Sequence, residues 1–409
     1  MKRLIVIGGG PAGAMAAIVA AERGIEVTLL ERNARLFQKL RITGKGRCNL
    51  TNACDADAFL SQIRTNSRFM MSSFALFDNN SLQQFFTDKG VALKIERGNR
   101  VFPQSDDANT IAAALEDALK SSGIKIVRNC RVTGCEAEGN SISAVNSETQ
   151  TFPCDWVVIA TGGLSYPLTG STGDGYRFAE QFGHAIARTQ PSLCPIDVYD
   201  AWVGQCAGLT LKNVGLTLYI HKKKVYQEQG EMLLTHHGVS GPLVLTASSY
   251  LDVDAAKAAQ LSIDLKPALD ETTLDARLLR DFTAHANKAF VNSLSGLFPK
   301  ALIAPMAQLS GIDAHTPCHS ITKQQRQHFG ALIKDLRLQV KQLGGYDEAI
   351  VTRGGVDVKQ INPKSMQSKR MENVSFAGEV LDVDGLTGGF NLQIAFSTGY
   401  AAGKYCLQD

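Results

Sequence analysis

No stretch of about 18 consecutive apolar residues occurs in the 409-residue chain, so no transmembrane helix is expected. The apolar run Leu4-Ile5-Val6-Ile7 follows Lys2 and Arg3 but stops at Gly8, too early for the core of a signal peptide. The nine cysteines include no CxxC pair and no zinc-ligand spacing, so no metal is expected. An odd number of scattered thiols fits a reducing cytoplasm better than a disulfide framework. An excess of one charge sign is also missing: 42 Lys and Arg against 39 Asp and Glu leave +3, too little to point to nucleic acid or membrane by itself. There is no internal repeat, no low-complexity segment, no Ser/His/Asp hydrolase pattern and no compelling pair of catalytic carboxylates.

What is present begins with a glycine turn. Leu4–Ile7 reads as a buried strand, Ala12–Arg23 as an Ala-rich helix stopped by Gly24, and Glu26–Glu31 as the next strand. Gly8, Gly10 and Gly13 form GxGxxG inside this βαβ unit, the context the motif requires. Gly8 permits the tight turn, Gly10 lets a pyrophosphate approach the backbone, and Gly13 lets helix and strand pack closely. The helix N-terminus offers N–H groups and a partial positive charge to phosphate. Glu31 is placed to accept hydrogen bonds from ribose hydroxyls and to repel a 2′-phosphate, which suits FAD or NAD.

A second signature lies at the other end of the chain. Gly378-Glu379 closes a strand, and Asp384 to Leu392 (DGLTGGFNL) leads into a final helix. This resembles the C-terminal signature of FAD-dependent oxidoreductases, in which an acid after a glycine holds a ribityl hydroxyl and a helix N-terminus stabilises the reduced flavin. The middle of the chain has glycine-rich stretches at 161–163 and 170–175 but no second GxGxxG in a fresh βαβ unit. If NAD(P)H is the donor it must dock transiently, and a reduced protein donor is the alternative.

Between these ends, 32–52 reads as a basic loop, with Arg32, Arg35, Lys39, Arg41, Lys45 and Arg47 and no acid among them. Helical stretches are predicted around 57–77, 82–89 and 109–121, a strand over 125–128, a hairpin over 131–144 and an apolar strand over 156–160. After Pro191 the texture changes to alternating strands (209–221, 261–265) and helices (242–250, 274–290, 299–309, 323–336). The expected architecture is an α/β, Rossmann-like nucleotide-binding domain from 1–190 plus 345–409, interrupted by a mixed β and helical insertion over 191–344.

Blocks along nearly the whole chain carry a family resemblance: GGGPAG (8–13), KLRITGKGRCNLTN (39–52), ATGGLSYPLTGSTGDGY (160–176), PSLCPI (191–196), GEMLLTHHGVSGP (230–242), VTRGGV (351–356), NPKSMQSK (362–369) and FAGEVLDVDGLTGGFNLQIAFSTG (376–399). They resemble the BaiN/YhiN-like flavoproteins. Lys45 interrupts a glycine run that many relatives keep unbroken. The resemblance implies an FAD domain of the glutathione-reductase superfamily with a β-barrel-like and helical insertion. It implies FAD contacts from Gly8, Gly10, Gly13, Glu31, Lys39, Thr43, Gly44, Arg47, Asn49, Val132, Gly162, Gly378, Glu379, Gly389, Asn391 and Leu392. Some relatives reduce steroid-like bile-acid intermediates and others make dihydrouridine in large-subunit rRNA.

Reducing an activated C=C bond requires a hydride at one carbon and a proton at its neighbour. Cys48, with its thiol pKa lowered by Arg47, is one candidate acid. His236 and His237, at the expected edge of the active-site cleft, and Tyr166 are others. Three functions follow: reduction of uridine in rRNA, with the basic loop or Lys222–Lys224 touching phosphate; reduction of a small enone; or a non-catalytic flavin-binding protein.

Overall fold

The computed structural model describes residues 2–408. It divides into two compact units, one running to Ser192 and resuming at Tyr346, the other Leu193–Gly345.

The first unit is organised by a five-stranded parallel sheet in the order Val374–Phe376, Trp156–Ile159, Arg3–Ile7, Glu26–Leu30, Lys125–Val127. Its central strands are continuous apolar runs because a parallel sheet is covered on both faces. Ile5 sits opposite Val157 on one side and Thr28 on the other. Since Val374–Phe376 pairs with Trp156–Ile159, the two ends of the chain share one sheet. Helix Pro11–Glu22 has Pro at its first position, and Ala12 to Ala20 are buried. Helix Phe390–Tyr405 lies against it through small residues. A Cβ on Gly399 would come 2.2 Å from Ala12 O, and one on Gly403 2.4 Å from Ala16 O.

The basic loop is less irregular than expected, holding short helical turns at Gln38–Ile42 and Thr43–Gly46. The region around 57–77 is two helices, Ala56–Ser61 and Ser67–Leu76. They part where Arg64 and Thr65 donate their N–H groups to Asp384 O and Asn66 turns left-handed (φ 56°).

The second unit is built on a closed, wholly antiparallel six-stranded barrel. Its order is Ile196–Val198, Gly238–Ser240, Lys223–Leu234, Thr210–Ile220, Ala259–Asp264, Leu336–Leu343, returning to the first. The strand Lys223–Leu234 goes beyond the elements expected from the sequence, because KKVYQEQGE carries few apolar residues. His221 and Lys222 form the two-residue hairpin turn at positive φ (48° and 64°). Beside the barrel, helices Glu271–Ala284, Lys300–Leu309 and Lys323–Lys334 gather around Phe282, Phe290, Phe298 and Phe329, which meet edge to face. The helix expected over 274–290 ends at Ala284, and the one expected to reach 336 ends at Lys334 where a strand begins.

Candidate functional site

Three glycines of the N-terminal turn meet three different demands. Gly8 has φ 111°, and a Cβ there would lie 2.4 Å from Ala160 O. At Gly13 a Cβ would fall 2.0 Å from Gly8 O, so helix and strand touch through bare backbone. Gly10 is the N-cap of Pro11–Glu22; no side chain caps this helix, and a Cβ on Gly10 would meet no protein atom within 4 Å. A surface that only packed would not need glycine there; one that admits phosphate to the N-terminal N–H groups does.

Glu31, only 7% exposed, ends the second strand. Its carboxylate accepts N–H bonds from Gly9 (2.8 Å) and Asn33 (2.7 Å), which fix both oxygens beside the turn. Burial raises its pKa, opposed by those hydrogen bonds. Each oxygen keeps a lone pair for a hydroxyl donor. Cys130 N donates to Glu31 O at 2.9 Å, and buried Val132 then opens the strand Val132–Glu138.

The C-terminal half is a clamp. Glu379 accepts from Lys39 Nζ at 2.7 and 2.9 Å and from Thr352 N at 2.8 Å. Gly378 (φ 78°) donates its N–H to Thr398 Oγ1 at 2.9 Å, and a Cβ there would press on Ala12. Gly389 is the N-cap of Phe390–Tyr405, again with no side-chain cap. Its φ is 99°, and a Cβ would lie 2.4 Å from Thr51 backbone atoms. Asn49 joins the loop to this turn: its amide oxygen accepts from Gly389 N at 3.0 Å and its nitrogen donates to Thr51 O and Val101 O. Asn391 spends its side chain on the preceding turn, bonding Gly385 N, Gly385 O and Leu386 O. Leu392 lies in the first turn of the same helix. Thr43 Oγ1 donates to Leu40 O at 2.6 Å. Gly44 and Lys45 are both left-handed (φ 58° and 60°), so the lysine carries a strain that glycine avoids. Gly162 is also at positive φ (74°), facing Ser171 Oγ.

The basic loop finds its acids elsewhere in the chain. Arg32 pairs with Asp174 at 3.2 Å and Arg41 with Glu116 at 2.8 Å. Arg47 is held by Glu96 and Asp106 and stacks on Phe102, 4.2 Å from its centroid. This overturns the expected pairing with Cys48. That thiol has no exposed surface, and burial pushes its pKa up to about 12 instead of down. Tyr166, half-buried and left-handed (φ 52°), donates its N–H to Tyr346 O; burial and the Glu348 carboxylate raise its phenol pKa. His236 and His237 are exposed in the barrel unit and line a cleft there with Asp197, Asp200 and Lys341.

Sequence reasoning passed over Thr352. Its buried hydroxyl accepts N–H bonds from Leu164 (2.8 Å) and Ser165 (3.1 Å) and meets Ser165 Oγ at 3.0 Å. The block VTRGGV held this residue, but nothing in its spacing shows a bond to a loop far upstream.

Two uncapped helix N-termini, an open Gly10 face and two fixed carboxylates make a donor and acceptor set that fits a flavin dinucleotide. Glu31 and the Gly10 turn would hold its adenosine and pyrophosphate; Lys39, Glu379 and the Gly389 turn would hold the flavin half. Among the described residues, no helix is long and apolar enough to cross a membrane, and no group of three or more His, Cys, Asp or Glu could hold a metal ion.

The HI0933-like protein Rossmann domain family matches residues 2–405. The chain is 30% identical to the 3-dehydro-bile acid delta(4,6)-reductase of Clostridium scindens, over 99% of this chain and 98% of that one. It is also 30% identical to the ribosomal RNA dihydrouridine synthase of Escherichia coli, over 99% and 97%. Among solved structures, the 3-ketosteroid-delta4-(5alpha)-dehydrogenase of Rhodococcus jostii RHA1 shares the fold at 15% identity, with a TM-score of 0.51 over 100% of this chain and 97% of that one.

Proposed function

The chain belongs to the HI0933-like Rossmann-domain family of flavin-dependent oxidoreductases, and we propose that it reduces a C=C bond conjugated to a carbonyl, with uridine in large-subunit rRNA as substrate and NAD(P)H as electron donor. The observation that carries the flavin reading is the joining, in one unit, of the uncapped Gly10 turn and Glu31 with the uncapped Gly389 turn and the Lys39–Glu379 clamp. FAD, when bound, supplies the hydride.

The relatives' names support the choice of reaction. A dihydrouridine synthase and a delta(4,6)-reductase both add two hydrogens across a double bond in conjugation with a carbonyl. Uridine is preferred because rRNA dihydrouridine synthases from two organisms match almost the full chain at 30% and 31% identity.

The protein's own residues bind and orient. Glu31, fixed by Gly9 and Asn33, would accept from ribose hydroxyls, and Glu379, fixed by Lys39 and Thr352, would accept from the flavin half. Tyr166 is the candidate donor of the balancing proton: a phenol is protonated through the neutral range, and burial with the Glu348 carboxylate raises its pKa further. His236 and His237 remain candidate substrate contacts of the barrel unit.

Nucleoside mass spectrometry of rRNA from strains with and without the gene tests the substrate. Loss of one dihydrouridine on deletion is expected; an unchanged content sinks the reading. The second reading, a small steroid-like enone, rests on the equal similarity to the bile-acid reductase. It requires NAD(P)H oxidation by the purified protein to accelerate when such an enone is added.

A further inference from the structure

Resting on the RNA reading above, we infer that the nucleotide-binding unit carries a groove for the RNA phosphodiester backbone, formed by the loop after Glu31 and the helix Ala108–Ser121. The groove encloses about 500 Å³ and gathers four cations, Arg35, Arg41, Lys120 and Arg128, against two carboxylates, Glu116 and Asp117.

Its construction differs from a solvated basic face. Arg41 and Arg128 come from distant parts of the chain, and Glu116 holds both: Oε1 takes Arg41 Nη2 at 2.8 Å and Oε2 takes Arg128 Nη2 at 3.4 Å. Arg41 is further fixed by Asn109 and by Leu36 O. Two guanidiniums are thus set in place, Arg41 on the turn Gln38–Ile42 and Arg128 just past the strand Lys125–Val127, each with five donors in a planar fork, more than Glu116, Asn109 and Leu36 O take up. Arg35 is exposed on the rim, and Lys120 is 63% exposed with only Asp117 at 3.5 Å, a surface pair that holds it weakly. Small-molecule sites are concave and mostly apolar; this groove is charged and open, which suits a hydrated polyanion reading out no bases. Asn129 N, next to Arg128, bonds Asn33 O, so the groove flanks the loop that follows Glu31.

The test combines Arg35→Glu with Lys120→Glu, because both side chains stand on the rim and neither belongs to the flavin site. Binding of the full-length protein, loaded with FAD, to a transcript of large-subunit rRNA is measured from 50 to 200 mM salt. The variant is expected to bind about tenfold more weakly at the low-salt end, with its log K against log salt slope shallower by about one to two. Its flavin content and its KM for NAD(P)H should match the parent.

Equal RNA affinity and slope in parent and variant would overturn the inference. So would an NAD(P)H KM that rises in the variant while RNA binding holds, since the groove would then serve the phosphates of the nicotinamide donor. Gene-dependent dihydrouridine together with unaltered binding removes the groove alone. Absence of gene-dependent dihydrouridine removes the RNA reading itself.

Discussion

A single residue, Thr352, ties together two parts of the proposed flavin clamp. Thr352 receives two backbone N–H bonds from the 164–165 turn while its own N–H fixes Glu379. Thr352→Val keeps the shape but leaves two donors unsatisfied, at about 1–3 kcal/mol each. The expected result is a lower melting temperature and flavin lost on gel filtration, with Thr352→Ser restoring both. A valine variant that holds flavin like the parent would show that the hydroxyl does not position Glu379. Proton transfer separates two other residues. Tyr166→Phe should lower turnover about 10²–10⁴-fold with flavin binding unchanged, the range a positioned general acid supplies. Cys48→Ala should leave turnover within a few-fold, because the thiol is sealed from solvent and its pKa stands near 12. The sequence offered Arg47 beside Cys48 and so suggested the opposite. Adjacent positions do not make adjacent charges: Arg47 turns to Glu96 and Asp106, acids that lie far along the chain.

At the scale of elements, glycine separates what shapes the fold from what admits a ligand. Gly10→Ala puts a methyl where no protein atom lies within 4 Å, so the flavin-free protein should melt as the parent does while FAD affinity falls. Gly13→Ala puts it 2.0 Å from Gly8 O and Gly389→Ala 2.4 Å from Thr51, the latter at a φ of 99°, so both should destabilise the flavin-free fold as well. Calorimetry and flavin titration on the three variants give the contrast; a Gly10 variant that unfolds early, or one that binds FAD like the parent, removes the cradle assignment. Elements with strong periodicity were legible. The buried parallel strands announce themselves as apolar runs, and the Gly8–Gly13 turn sits where strand gives way to helix. The strand Lys223–Leu234 was not legible, since half of its residues are polar and its partners supply the apolar face. Nor were the short turns over 38–46, which are too brief for a helical period to show. In the site, residue types were readable but commitments were not: Asn391 spends its side chain on its own turn, and Asn49 spends its own on Gly389.

For the molecule as a whole, the two ends of the chain meet in one sheet and one helix pair, so the proposed flavin site depends on the entire nucleotide-binding unit staying folded. Its thiols set one limit on that stability. Burial raises Cys48, Cys135 and Cys154 to about 12 and Cys406 to about 11, against about 9 for an exposed thiol. All four belong to this unit, and among the described residues every cysteine is free. A raised acid stays neutral in the fold after its unfolded counterpart has ionised. The stability it contributes is therefore complete below about pH 9 and is lost as pH rises through 11 to 12. The carboxylates are fully ionised in both states across that window and add no slope of their own, whereas the phenols of Tyr176 and Tyr226, which burial also raises, add to the fall above pH 10. Urea midpoints measured with saturating FAD from pH 8 to pH 11 should thus fall steadily above pH 9. Cys135→Ala with Cys154→Ala should flatten the fall, because two of the groups that ionise only on unfolding are gone. A parent whose midpoint holds level to pH 11, or a double variant with the parent's slope, would mean that these thiols reach water in the folded protein.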